Sequence, residues 1–212
     1  MKRIIWDWNG TLFDDVDLCF QCINRLLQAH ELPPLDSLDA YRHVFRFPIE
    51  EYYKKAGFDF QKTPFSQLAA EYMADYQEKS YRCRLQGDAL ATMQTIRSRH
   101  IPQTILSASR KDYLMKQLDL FALQPYIDSI YGIRNIYAES KEYLAHEARR
   151  NFSEDELWFV GDSVHDAQVA DSVKADCVLV STGHQSKDIL ERTGKPVADS
   201  LMQAWEIIHE TD

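Results

Sequence analysis

The chain has 212 residues, enough for one large domain or one domain with a smaller insert, and its 45% hydrophobic and 27% charged residues describe a globular protein with a real core. A formal net charge of -9 disfavours nucleic acid and anionic membranes as partners, while leaving room for a local site that binds a small anion. No apolar run approaches the roughly 18 residues that cross a bilayer. No signal-peptide pattern precedes the first apolar segment either, so a cytoplasmic protein is expected.

In chain order, the first expected strand is Arg3–Trp6, which runs into DWNGT, Asp7 to Thr11. The segments DLCFQCINRLLQAH, LDSLDAYRHVF, PIEEYYKKAGF and SQLAAEYMADYQEKSY then all read as helices, punctuated by Pro33-Pro34, Pro48 and Pro64. After them the pattern changes. Short apolar strands are expected at Gln103–Leu106, Ser129–Tyr131, Leu157–Val160 and Cys177–Val180, with helical periodicity over Asp88–His100, Lys111–Phe121, Glu139–Arg150 and Val164–Val173. Alternating strands and helices predict an α/β, Rossmann-like parallel sheet with helices on both faces. The helical run predicts an inserted α-helical cap domain over 16–83, with the core formed by 1–15 and 84–212. An insert after the first strand sits over the strand ends, where a lid belongs.

Cys19 and Cys22 form a C-x-x-C, but four cysteines are too sparse for a disulfide framework. No second pair follows and no His cluster completes a zinc site in the sequence, so they are read as buried helical thiols.

Four features fall at strand ends: Asp7, Ser107, Lys141 in AESKEYL, and the pair Asp162 and Asp166 in LWFVGDSVHD. Each has a plain alternative as a turn residue, an N-cap or a solvated side chain. In a parallel sheet they would converge on one edge. The order strand-D-x-x-G-T, strand-S, K, strand-G-D-x-x-x-D resembles the haloacid dehalogenase (HAD) superfamily over essentially the whole chain, and most of all its phosphoglycolate-phosphatase-like and β-phosphoglucomutase-like members with a helical cap.

That resemblance implies a Mg²⁺-dependent phosphatase of small phosphorylated metabolites, working through an aspartyl-phosphate on Asp7. It implies Mg²⁺ ligation by Asp7, Asp162 and the backbone carbonyl of Asn9, with Asp166 binding or orienting the ion. Lys141, Ser107, Ala108 and Thr11 would lie around the transferring phosphoryl group. The cap stretch YRHVFRFPIEEYYKKAG separately offers Arg42, His43, Arg46, Tyr52, Tyr53 and Lys54 for an anionic tail of the substrate, the plain alternative being a solvated helix face over an aromatic core. A monomer or homodimer is expected. Retention of Asp162 and Asp166 argues for metal-assisted phosphate chemistry over dehalogenation, which needs no metal.

The departures from the family pattern matter more. Most phosphatases of the family carry a general acid/base Asp two residues after the nucleophile, and Asn9 stands there. Ala108 replaces an Asn common in relatives, and Asp171-Ser172 replaces a small-residue pair. Three accounts of Asn9 stay open: a good leaving group or another proton donor such as His165 or His184; a slow enzyme that transfers phosphoryl groups, as a phosphomutase or phosphotransferase does; or an Asn introduced to trap a complex. Deamidation of Asn9-Gly10 would restore an Asp. A catalytically weak homologue that binds a phosphorylated ligand is the alternative outside enzymology.

Overall fold

The computed structural model describes residues 1–133 and 140–211. Its main sheet has the strand order β5-β4-β1-β6-β7-β8, every pair parallel. The strands are β1 Lys2–Trp6, β4 Gln103–Arg110, β5 Ser129–Ile133, β6 Glu156–Gly161, β7 Asp176–Val180 and β8 Val197–Ala198. All five expected strands are present. Only β4 differs much, running past Leu106 to Arg110 with a register shift between Ser107 and Arg110.

Both faces of the sheet are covered, which explains why the central strands are almost continuously apolar. Ile4 and Trp6 of β1 point to one face, against α5 (Ala89–Ser98), α6 (Lys111–Leu120) and α10 (Leu201–Glu210). Ile5 points to the other, with α7 (Lys141–Asn151), α8 (Val164–Ser172) and Leu190 of α9 (Lys187–Glu191). Two buried indoles of this core are paired: the Trp6 indole donates to Gln103 Oε1 at 3.0 Å and the Trp8 indole to Gln117 Oε1 at 2.8 Å. Glu139, the expected start of α7, lies outside the described residues. Here α7 begins at Lys141, with Ser140 as its N-cap. The sequence pattern assigned no element beyond Val180, whereas α9, β8 and α10 follow there.

Between β1 and α5 lie α1 Val16–Ala29, α2 Leu38–Val44, α3 Ile49–Ala56 and α4 Phe65–Ser80. These helices surround a separate cluster rich in aromatic side chains, including Tyr41, Tyr52, Tyr53 and Phe58, with the aliphatic Leu68 among them. Entry and exit of the block are joined by a ladder too short for a sequence pattern to reveal: β2 Phe13–Asp14 pairs antiparallel with β3 Arg84–Leu85. Several contacts tie the block to the sheet side. The Arg42 Nε donates to the Gly183 carbonyl at 3.1 Å, Gln185 Nε2 to the Phe45 carbonyl at 3.0 Å, and Phe47 stacks on His165. Among the described residues, no helix is long and apolar enough to cross a membrane.

Candidate active site

β1 lies in the middle of the sheet between β4 and β6, so the carboxyl ends of three adjacent strands meet. In open α/β sheets that is where ligands bind. Asp7 follows β1, Ser107 lies in β4, and Asp162 follows β6. Lys141 comes in from the first turn of α7 and bridges Asp7 Oδ1 and Asp166 Oδ1. All five of these residues are buried. The Thr11 hydroxyl lies 3.3 Å from both Asp7 Oδ2 and Asp162 Oδ1.

Asp166 has two jobs. Its Oδ2 accepts from the amides of Asp162 and Ser163 and from the Ser163 hydroxyl, forming a capping box at the start of α8. Its Oδ1 holds Lys141.

Glycines let the backbone close around Asp162. At Gly10, whose φ is +74°, and at Gly183, a Cβ would collide with the Asp162 carboxylate. The result is a carboxylate cluster short of positive charge. Burial lifts Asp7 to about 7 in spite of Lys141, and lifts Asp162 to about 6 in spite of His184. Burial alone would lower Lys141, but Asp166 and Asp7 carry it above its ordinary value. A hard divalent cation fits this environment: Asp7, Asp162 and Asp166 bring carboxylate oxygens within 4.8 Å of one another, with no soft donor among them.

Ser107 is buried, and its Oγ accepts from the Ser109 amide at 3.0 Å, which shapes the register shift of β4. Ala108 is exposed and lines a cleft of about 550 Å³ together with Lys141, Phe47 and His165. Arg46 lies apart from the carboxylates, in a second cleft of about 420 Å³ that also contains His43, Lys55, His165 and Arg192. Phe47, His165 and Gln168 line both clefts and so connect them.

Asn9 is where the structure adds most. Its Nδ2 donates to Asp15 Oδ2 at 2.8 Å and to the Tyr76 hydroxyl at 2.9 Å, and its Oδ1 accepts from the Ser109 hydroxyl at 2.6 Å. The amide is therefore engaged at both ends. The sequence reading passed over Asp15, which the structure finds buried at the centre of this network. It accepts from the Gly10 amide at 2.9 Å and from Tyr76 at 2.7 Å, and it pairs with His184 Nε2 at 3.2 Å. Burial would raise Asp15, yet His184, Tyr76 and Asn9 hold it below the usual carboxylate range. Burial would lower His184, yet Asp15 pushes it up to about 9. The other ring nitrogen of His184 meets the Tyr41 hydroxyl at 2.8 Å, and its backbone amide donates to Asp162 Oδ2 at 2.5 Å. The one local trace of it in the sequence is an acidic residue, Asp15, directly before the first helix.

A family model described as haloacid dehalogenase-like hydrolase matches residues 4–180. A search of curated proteins finds no match. Similar solved structures include a predicted phosphatase from Clostridium acetobutylicum (17% identity, TM-score 0.82, covering 99% of this chain and 98% of that one). A predicted phosphoglycolate phosphatase from Haemophilus somnus is 16% identical, with a TM-score of 0.76 and 98% of each chain covered. Protein Tyrosine Kinase A from Mycobacterium tuberculosis is 18% identical, with a TM-score of 0.81 and 97% of each chain covered. At such identities these structures establish the shared fold alone. The family match spans most of the sheet and every strand-end residue described above, and on that ground the chain belongs to the haloacid dehalogenase-like hydrolases.

Proposed function

We propose that the protein is a Mg²⁺-dependent phosphatase of small phosphorylated metabolites, with Asp7 as nucleophile. The observation that carries this reading is the Lys141 bridge, which holds a buried Asp7 carboxylate beside Asp162 and fixes the ammonium by Asp166. Bound through Asp7, Asp162 and the carbonyl of Asn9, Mg²⁺ would supply charge neutralisation for the phosphoryl oxygens. An Asp7 oxygen forms the new bond to phosphorus, and the ester oxygen leaves with the bonding pair. Lys141 offsets the charge that gathers between nucleophile and phosphoryl group. Water then attacks the phosphorus of the aspartyl-phosphate, releasing phosphate and the free carboxylate.

The helices over 16–83 serve as the cap in this reading, and the cleft around Arg46 and Lys55, where Arg192 is paired with Asp188, takes an anionic tail of the substrate. Asn9 gives no proton to the ester oxygen, and its amide is saturated by Asp15, Tyr76 and Ser109. His184 has both ring nitrogens engaged. The expected consequence is steep dependence on the leaving group. Aryl phosphates should be hydrolysed about 10²–10⁴-fold faster than alkyl phosphates of similar shape, the span that general acid help ordinarily covers.

The test is phosphate release from a panel of aryl and alkyl phosphates with and without Mg²⁺, for the wild type and Asp7→Asn. Loss of turnover in Asp7→Asn and on Mg²⁺ removal is expected. Turnover that survives either change refutes the mechanism. The engaged Asn9 amide also favours a second reading, a phosphotransferase or mutase, because an aspartyl-phosphate without an adjacent base is slow to meet water. Transfer to an added alcohol, or an isomerised product in place of free phosphate, would select it. No turnover at all, with phosphorylated ligands still raising the melting temperature, would mark a binding protein.

A further inference from the structure

The histidine nearest in sequence to the Cys19-x-x-Cys22 pair is His30, but it is His184 that the fold brings to Cys19. Asp15, Cys19 and His184 place a carboxylate oxygen, a thiol sulfur and an imidazole nitrogen within 4.8 Å of one another, all buried. Asp15 and Cys19 lie four residues apart at the start of α1, on one face of the helix. His184 arrives from the loop after β7.

The spacing can be compared with that of a metal polyhedron. Tetrahedral zinc holds sulfur at about 2.3 Å and nitrogen or oxygen at about 2.0–2.1 Å, so neighbouring N and O ligands lie about 3.3 Å apart, and S and O ligands about 3.6 Å. In this protein His184 Nε2 is 3.2 Å from Asp15 Oδ1, and Cys19 Sγ is 3.6 Å from the other oxygen of that carboxylate, Oδ2, so each donor faces its own Asp15 oxygen, as around a carboxylate that ligates through both. The outer contacts are also those that ligating groups use. The Tyr41 hydroxyl fixes the far nitrogen of the His184 ring, while the Gly10 amide, Asn9 Nδ2 and the Tyr76 hydroxyl fix the Asp15 carboxylate.

We propose that Asp15, Cys19 and His184 form a site for a thiophilic divalent transition metal, zinc first among them. The mixed S, N and O donor set suits such an ion, whereas the all-oxygen cluster of Asp7, Asp162 and Asp166 suits Mg²⁺. The two sites share a wall, since the His184 amide donates to Asp162. Occupation would pin α1 to the loop after β7. The competing account is an ion pair between His184 and Asp15, with the thiol a weak donor to the same carboxylate.

Cobalt titration of metal-stripped protein in excess Mg²⁺ separates them, because Mg²⁺ fills the oxygen site and Co²⁺ reports thiolate ligation in its spectrum. Expected for the wild type are stoichiometric uptake, a near-ultraviolet thiolate charge-transfer band and the strong visible bands of a tetrahedral ion. Cys19→Ser should lose the charge-transfer band and Cys22→Ser should keep it, with circular dichroism confirming that each variant is folded. Cys19→Ala serves if the serine variant does not fold. A wild-type spectrum without the thiolate band overturns the proposal whatever the variants do, as does a band that persists in folded Cys19→Ser.

Discussion

Replacing Asn9 by Asp tests the network around residue 9 most directly. The Asn9 nitrogen that donates to Asp15 Oδ2 lies 2.8 Å from it, and an Asp would put a carboxylate oxygen there instead. Two unit charges 4 Å apart at an effective dielectric near 20 repel by about 4 kcal/mol, and these would be closer. One carboxyl would therefore keep its proton to a higher pH than an ordinary carboxyl does. A penalty of about 4 kcal/mol corresponds to a rise of about 3 pKa units, and the His184 imidazolium beside Asp15 offsets part of it. The variant should lose about 3 kcal/mol of stability at pH 7.5. Because the folded pKa is raised above the unfolded value, the penalty is absent below the unfolded pKa of about 4 and grows with pH. It should shrink by about 1.4 kcal/mol per unit as pH falls from about 6. Urea denaturation of both proteins at pH 5.0 and 7.5 measures this. The exchange Asn9→Asp with Asp15→Asn restores a single charge and should return stability to within about 1 kcal/mol of the wild type. A single variant as stable as the wild type at pH 7.5 would refute the reasoning. A carboxyl titrating near neutrality is also well suited to general acid work. The single variant, though less stable, should turn over alkyl phosphates faster than the wild type does, and equal rates would show that residue 9 does not limit the chemistry.

The remaining predictions concern the charges around Asp7. Lys141→Met leaves Asp7 and Asp166 buried without their cation and should cost about 3–5 kcal/mol in denaturant midpoint measurements. Gly10→Ala forces a non-glycine residue to φ +74° and drives a Cβ into Asp162, so Mg²⁺-dependent turnover should fall at least tenfold while the sheet, read by far-ultraviolet circular dichroism, persists. Without added metal, stability should decline as pH rises. Asp7 and Asp162, raised to about 7 and about 6, lose stability from about pH 4 upward, and His184, raised to about 9, loses its contribution between about 6.5 and 9. Saturating Mg²⁺ should flatten the lower part of that slope, and Asp162→Asn should abolish the flattening in thermal melts across pH.

The sheet and the residues at its strand ends were legible in the sequence because they obey local rules. Ile4-Ile5-Trp6 is apolar on both faces, and Asp7, Asp162 and Lys141 each follow a strand or open a helix at recognisable spacing. The network at Asn9 was not legible. Its members come from positions 9, 15, 41, 76, 109 and 184, and only the docking of α1, α2 and α4 against the sheet edge brings them together. A lone Tyr76 on a helix reads as an aromatic core position, and His184 was legible only as a candidate proton donor near a strand end, not as the partner of Asp15. The β2–β3 ladder escaped for another reason: two residues per strand carry no period.

That ladder has a consequence for how the protein changes over time. Phe13 sits opposite Leu85 and Asp14 opposite Arg84, so the chain leaves the sheet side and returns to it at nearly the same point. Seen from the sheet, the intervening helices form one closed excursion, whose length adds little closure entropy because that cost grows only as the logarithm of loop size. Insertions, deletions or wholesale exchange of those helices can therefore accumulate without disturbing the register of β1 against β4 and β6. The residues that shape a ligand can drift while those that carry the charges stay put.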